Sequence, residues 1–252
     1  MPVKLDLRAL NTVFARTALL ALGFALGGWF VGHGFAGARA ADRYVTVKGV
    51  AEREVRADLA LWPLRLVAGD NTLTSAQARI TYGVREVRAF LRRNGITDTA
   101  NVELQGYEVT DAYANQFRSA DEVTNRYVIH QTVMVRSDHP DIVAAAAQRV
   151  NELVDAGVVI SSGGEYGSGG PTFLFTGLNA LKPQMIAEAT ARAREGAEQF
   201  ARDSRASLGG IRRATQGMFE ILPRDQAPGV EEGSQLAKTV RVVSTVEYFL
   251  RD

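Results

Sequence analysis

The chain contains no cysteine and only three histidines among its 252 residues. Without cysteine it can form no disulfide, no thiolate nucleophile, no cysteine-ligated zinc site and no lipid-modified N-terminal cysteine. The histidines, His33, His130 and His139, match neither the H-x-x-x-H nor the H-E-x-x-H spacing. Zinc binding and histidine acid–base chemistry therefore have no support, and the sequence predicts no metal and no cofactor.

An excess of charge of one sign is also missing, because the formal net charge is only +1. The first forty residues carry a net +3, so the rest of the chain is close to neutral at −2. Acidic and basic residues alternate along this remainder instead of forming a basic patch. Composition therefore predicts an ordinary folded domain that does not bind nucleic acid.

Residues 17–38, "TALLALGFALGGWFVGHGFAGA", form a long run without any charge. About 20 apolar residues are enough for a helix that spans a bilayer. Lys4, Arg8 and Arg16 precede the run, so the positive-inside rule keeps residues 1–16 in the cytoplasm and exports the chain beyond the run. The sequence thus predicts a single-pass anchor in the inner membrane.

A signal peptide cleaved near residue 40 is the alternative, since Ala38-Arg39-Ala40 resembles a cleavage site. In both interpretations residues 43–252 lie in the periplasm. Four glycines in the run have the small-xxx-small spacing that lets two membrane helices approach closely, although glycine is also common in such helices. These candidate helix-packing residues are Gly23, Gly27, Gly28 and Gly32.

The exported part alternates between strand and helix patterns. The main predicted strands are 43–50, 53–68, 100–111, 124–136, 211–221 and 238–250, and the main predicted helices cover about 72–93, 138–156 and 178–207. The order helix, strand, polar tip, strand occurs twice. We therefore expect an α+β fold with two α-β-β-type units on one shared, largely antiparallel sheet and three main helices.

The first two predicted strands carry many charges, which the alternation assigns to the solvated face of a half-buried sheet. In this interpretation Val55, Ala57, Leu59 and Leu61 form the buried face of the second strand. Gly49 interrupts the run and is predicted to mark a bulge or a tight bend.

Motifs that would carry chemistry are missing. The glycine-rich stretch "YGSGG" lacks the G-x-S-x-G spacing of a nucleophile elbow, and no G-x-G-x-x-G or Walker loop precedes a helix. Glu52, Glu54 and Asp58 are close in sequence, and two of them in one pocket could act as general acid and base. Paired carboxylates are also common on strand surfaces, so the sequence predicts no catalytic residue.

A family resemblance is carried by "VTVKGVAEREVRADLALW" at residues 45–62. It resembles the opening signature of SIMPL-domain (YggE-like) proteins, with Gly49, Glu52, Val55 and Asp58 at the signature positions. Ala57 stands where the family usually has proline. Two later segments resemble the family in the same order, "RYVIHQTVMVRSDHPDIVAAAAQRVNELVDAGV" and "AEATARAREGAEQFARDSRASLGGI".

The resemblance implies an α+β domain in a bacterial envelope protein that tends to self-assemble and is associated with stress tolerance. It implies no catalytic residues, because none are agreed for the family. We expect a non-enzymatic protein that acts as a homo-oligomer or through an unknown protein partner. The polar tips 111–123 and 223–237, with Tyr107, Tyr113 and Phe117, are either contact surfaces or simply poorly ordered. The alternative is a small-ligand binder, or an enzyme that uses carboxylates in a cleft between the two halves.

Overall fold

The computed structural model describes residues 21–32, 43–97, 101–114, 125–161 and 169–251. Within these ranges the structure contains five α-helices and eight β-strands, together with two short 3-10 turns. The helices are α1 (21–32), α2 (Leu73–Arg93), α3 (Pro140–Ala147), α4 (Asn151–Asp155) and α5 (Leu178–Asp203). The predicted second helix is therefore two short helices, α3 and α4.

Eight strands form two four-stranded sheets. They are β1 (Tyr44–Arg56), β2 (Leu59–Asp70), β3 (Val102–Asp111), β4 (Tyr127–Ser137), β5 (Thr172–Leu174), β6 (Ser207–Gln216), β7 (Glu220–Pro223) and β8 (Ala237–Arg251). The first sheet has the order β1-β8-β6, with β7 also paired to β8, and the second has the order β3-β4-β2-β5. The fold class α+β with antiparallel sheet is confirmed.

The prediction of one shared sheet is wrong. The first helix-strand-strand unit exists as α2-β3-β4. The second is α5-β6-β7-β8, because the predicted strand 211–221 is divided between β6 and β7, and the strands of the two units belong to different sheets. The reason lies in the opening strands: β1 pairs with β8, whereas β2 pairs with β4 and β5. Local alternation predicts that a strand forms but carries no information about which distant strand will pair with it.

The chain divides into two compact units, and the larger contains residues 52–185 and 219–242. Its core lies on the helix-facing side of the second sheet, where alternate residues of β2 and β4 meet α2, α3 and α4. Trp62 of β2 contacts Phe90 of α2 edge to face, with ring centroids 6.3 Å apart. Such an arrangement adds to the burial of two large apolar side chains.

The smaller unit contains residues 1–51, 186–218 and 243–252. Its core is built from small and β-branched residues and one tyrosine: Val45, Ala193, Ala197, Val246 and Tyr248. Alanine at every fourth position gives α5 a narrow stripe that can lie close to the strands. Both cores, and every strand of both sheets, fall within residues 43–251, so we expect these residues to fold without those that precede them.

The predicted membrane span, residues 17–38, lies partly outside the described residues. Its described part is α1, all of whose residues are exposed, including Gly23, Gly27, Gly28 and Gly32. A Cβ added to any of these glycines would meet nothing within 4 Å. Among the described helices, none has the length and apolar character needed to cross a bilayer.

Candidate functional site

Gly49 lies where β1 packs directly against the backbone of α5. A Cβ added at Gly49 would overlap the carbonyl oxygen of Ala189 and the amide nitrogen of Ala193, and would lie 3.0 Å from the Ala189 carbonyl carbon. The predicted interruption at Gly49 is wrong, because β1 continues through Gly49 from Tyr44 to Arg56, and the break before β2 lies at residues 57–58. Glycine is required here for the close contact between the strand and the helix backbone.

Glu52 and Val55 follow on the same strand. The Glu52 carboxylate lies 3.3 Å from Nε of Arg241 on β8, close enough for an ion pair, although this nitrogen makes no hydrogen bond. Both side chains are about half exposed, so the pair contributes little to stability. Val55 is half-buried.

Asp58 lies between β1 and β2 and binds the segment that leads into α5. Its carboxylate accepts hydrogen bonds from Thr176 N (2.7 Å), Thr176 Oγ1 (3.1 Å) and Gly177 N (3.0 Å). Thr176 and Gly177 immediately precede Leu178, the first residue of α5. A carboxylate in this position satisfies the N–H of Gly177, which the helix leaves unpaired, holds the preceding Thr176, and interacts favourably with the helix dipole. Asp58 therefore has a structural role.

Replacing Asp58 with alanine should lower the free energy of unfolding by about 2 kcal/mol, the usual cost of losing a good helix cap and its hydrogen bonds. Asp58→Asn, which keeps one acceptor oxygen, should cost less. Urea unfolding of residues 42–252 measures both, with Glu54→Ala as control, because Glu54 is an exposed carboxylate of the same cluster. Wild-type stability in Asp58→Ala would show that this carboxylate does not hold the fold.

Two of the three carboxylates of the opening segment have separate partners. Asp58 is bonded to Thr176 and Gly177, and Glu52 faces Arg241. Three cavities of the larger unit are lined by other residues. Among the described residues, no group of three histidines or carboxylates is placed to hold a metal ion. His139 contacts its neighbour Asp138, with Nδ1 and Oδ1 2.6 Å apart.

The second sheet has one face turned away from its helices, which we call the open face. It carries Leu61, Pro63 and Arg65 of β2, whereas Trp62 and Leu64 point into the core. The prediction that Leu61 belongs to the buried face was wrong. Both faces of this central strand are largely apolar, so alternation did not distinguish them.

A cavity of about 780 Å³ lies on the open face. Its described lining comes from β2, β3, β4 and β5 and consists of Leu61, Pro63, Arg65, Gln105, Gly106, Thr132, Met134, Thr172 and Leu174. A volume of this size is typical of sites for small ligands. No sequence motif points to this site. The sequence would have indicated it only if the odd-numbered residues of β2 from Leu61 to Arg65 had been assigned to the outer face of the sheet.

β3 forms one edge of the second sheet, and three of its apolar side chains are strongly exposed: Leu104 (46%), Tyr107 (49%) and Val109 (43%). Its pairing with β4 is interrupted by a bulge between Gln105 and Glu108, where Gly106 has a φ of 59°. Past the bulge the ladder resumes and runs to Asp111. Hydrogen bonds from the Arg126 guanidinium lower the pKa of the Asp111 carboxyl and hold the end of the hairpin.

The structure describes only part of the predicted contact tip 111–123 but all of the tip 223–237. In the tip 111–123, Tyr113 is exposed with Arg126 over its ring at 5.5 Å, and Phe117 lies outside the described residues. The tip 223–237 is ordered by a 3-10 turn, Glu232–Ser234, and by two hydrogen bonds between Asp225 and Gln235.

Lys238 anchors the second of these tips. Its side chain is 0% exposed, and Nζ donates to the Glu232 carbonyl oxygen (2.7 Å) and pairs with the Glu232 carboxylate. The residues of β8 with even numbers from 238 to 248 are buried. The alternation of apolar residues along β8 therefore indicates that the side chain of Lys238 points into the core.

The family signature SIMPL, described as a protein of unknown function (DUF541), matches residues 45–248. The chain belongs to the SIMPL family. The signature residues Gly49, Glu52, Val55 and Asp58 all lie inside this SIMPL match, and the structure gives Gly49 and Asp58 roles in packing and capping. No curated protein matches the chain.

One solved structure similar to this SIMPL chain is a crystal structure of an uncharacterized conserved protein from Listeria innocua. The two share 11% sequence identity, and the alignment covers 76% of this chain and 90% of the other. With a TM-score of 0.20 the likeness supports no argument about fold or function.

Proposed function

We propose that the protein is a non-enzymatic component of the cell envelope that acts by self-assembly or by binding a protein partner. In this proposal residues 17–38 anchor it in the inner membrane, or are removed as a signal peptide, and the SIMPL domain lies in the periplasm. A role in stress tolerance agrees with the family resemblance. The feature that supports an assembly role most directly is the edge strand β3.

The outer edge of β3 is unpaired in the part of the chain that the structure describes. An edge strand offers backbone N–H and C=O groups to a strand of another molecule, and exposed apolar side chains add to such a contact. Ala112 N donates to Arg126 O of the neighbouring chain segment at 2.7 Å. Because alternate residues of a strand point the same way, the N–H of Val109 points to the outer edge.

Self-assembly through β3 predicts that residues 42–252 form a species of several protomers whose mass, measured by light scattering over a dilution series, persists at low concentration. Val109→Pro removes one donor from the outer edge without cutting the ladder to β4, so it should reduce the mass to that of a protomer. Val109→Lys should act in the same direction, because charge on an edge strand opposes pairing.

Val154→Lys is the matched control, since Val154 is also an exposed valine, 61% exposed against 43% for Val109, and lies on α4. It should leave the mass unchanged. A wild-type domain that is monomeric at every concentration would contradict self-assembly of the domain. Binding of a protein partner would then be the remaining form of the proposal. A stable oligomer that neither Val109 variant affects would contradict the role of β3.

A further inference from the structure

One row of residues across the open face is polar. Arg65 of β2 is opposite Thr132 of β4, and Thr132 is opposite Gln105 of β3. Neighbouring strands are about 4.8 Å apart, so the row extends over roughly 10 Å. It places a guanidinium, a hydroxyl and a carboxamide side by side at one end of the cavity, and all three residues line it.

The residues of the next two rows that line the cavity are mainly apolar. Two residues away from the polar row, Pro63 is opposite Met134, and two residues further Leu61 comes next to Thr172 of β5. Leu174 extends this apolar floor. At about 3.3 Å per residue, the distance from Arg65 to Leu61 is roughly 13 Å. The cavity is therefore polar at one end and mainly apolar along the rest of its length.

Among the described residues, none pairs with Pro63 on the edge of β2 that faces β5. The described pairing of β5 with β2 covers Leu59–Leu61, and the next described hydrogen bond on this edge is from Ser161 N to Arg65 O (2.8 Å). Proline has no N–H to donate, so it leaves no donor unsatisfied in this gap. The rigid apolar ring of Pro63 thus forms the middle of the cavity floor without breaking a hydrogen bond between strands.

Arg65 is the only charged residue among the described residues that line the cavity. Glu103 and Arg136 flank the floor with opposite charges, opposite Met134 and Leu61 respectively. The Glu103 carboxylate accepts a hydrogen bond from Gln105 Nε2 (3.1 Å), whereas Arg65 lies two strands away on β2. The cavity therefore favours an anion at Arg65. A guanidinium carries five N–H donors in a planar fork, so Arg65 can bind a carboxylate in addition to its contacts within the protein.

We propose that the open face binds a small amphiphile with an anionic head group and an alkyl chain. The head group contacts Arg65 and Thr132, and the chain lies on Pro63 and Met134. The volume of about 780 Å³ and the apolar floor suit a single medium-length chain. This proposal does not depend on self-assembly through β3.

Isothermal titration calorimetry of residues 42–252 with decanoate tests the proposal, below the concentration at which decanoate forms micelles. We expect saturable binding of one decanoate per protomer. Decyltrimethylammonium, with the same chain and the opposite charge, should bind at least tenfold more weakly. Arg65→Gln should weaken decanoate binding about tenfold, the effect of one hydrogen bond to a charged group, and remove the preference for the anion.

Met134→Glu places a carboxylate in the floor and should abolish decanoate binding. Arg88→Gln, on an exposed position of α2, is the control and should bind as the wild type does. The proposal is overturned if decanoate does not saturate, or if Arg65→Gln binds it as tightly as the wild type. It is equally overturned if Met134→Glu changes the mass of the ligand-free protein, because the open face is then covered by a second copy.

Discussion

Gly49→Ala should destabilise the protein by about 3 kcal/mol or more, the upper end of what an overpacked core costs. The added Cβ would overlap backbone atoms of Ala189 and Ala193, which cannot move away as the end of a flexible side chain can. Relief requires β1 to separate from α5, and the small core of Val45, Ala193 and Ala197 then opens. Urea unfolding followed by circular dichroism measures the loss.

The same substitution at Gly210 is the control for Gly49→Ala. Gly210 also lies in a strand, β6, but a Cβ added there meets nothing within 4 Å. Gly210→Ala should change stability by no more than about 0.5 kcal/mol. If both variants unfold at the wild-type urea concentration, the close approach of β1 to α5 is not what requires glycine in the signature.

Glu232→Ala should destabilise the protein by about 3 kcal/mol, because it leaves the ammonium of Lys238 buried without its counter-charge. Lys238 is fully buried, whereas the Glu232 side chain is 32% exposed, so the lower end of the range for broken buried pairs applies. The carbonyl oxygen of Glu232 remains as an acceptor but does not neutralise the charge. Chemical unfolding at neutral pH measures the effect.

Removing both charges should restore most of the stability that Glu232→Ala loses. In Glu232→Ala/Lys238→Met an apolar side chain of similar length fills the buried position, and such replacements of buried pairs are often neutral. Glu231→Ala, one residue earlier and exposed, controls for changes in the turn itself. A double variant that is no more stable than Glu232→Ala would contradict an uncompensated charge as the cause.

Helices and strands could largely be predicted from the sequence, because their patterns are local. The apolar stripe of α2 and the alternation of β4 and β8 agree with their buried residues. The prediction of one continuous helix over about 138–156 was wrong, since a turn at residues 148–150 separates α3 from α4. No proline or glycine marks that turn in the sequence.

Sheet membership and the cavity could not be predicted. β1 and β2 are separated by only Ala57 and Asp58, yet they pair with different distant strands. The open face escaped detection because β2 is apolar on both faces, so the position of Arg65 beside Thr132 and Gln105 depends on strand register. The requirement for glycine at residue 49 likewise depends on a helix about 140 residues later in the chain.

Because Lys238 is buried, its chemical labelling can measure how often the surrounding segment opens. The chain has only four lysines, Lys4, Lys48, Lys182 and Lys238, and Lys48 is exposed on β1. An amine-directed acylating reagent will modify Lys48 at once but will reach Lys238 only when the segment around it opens. The ratio of the two labelling rates, read by mass spectrometry, gives the population of that open form without any engineered probe.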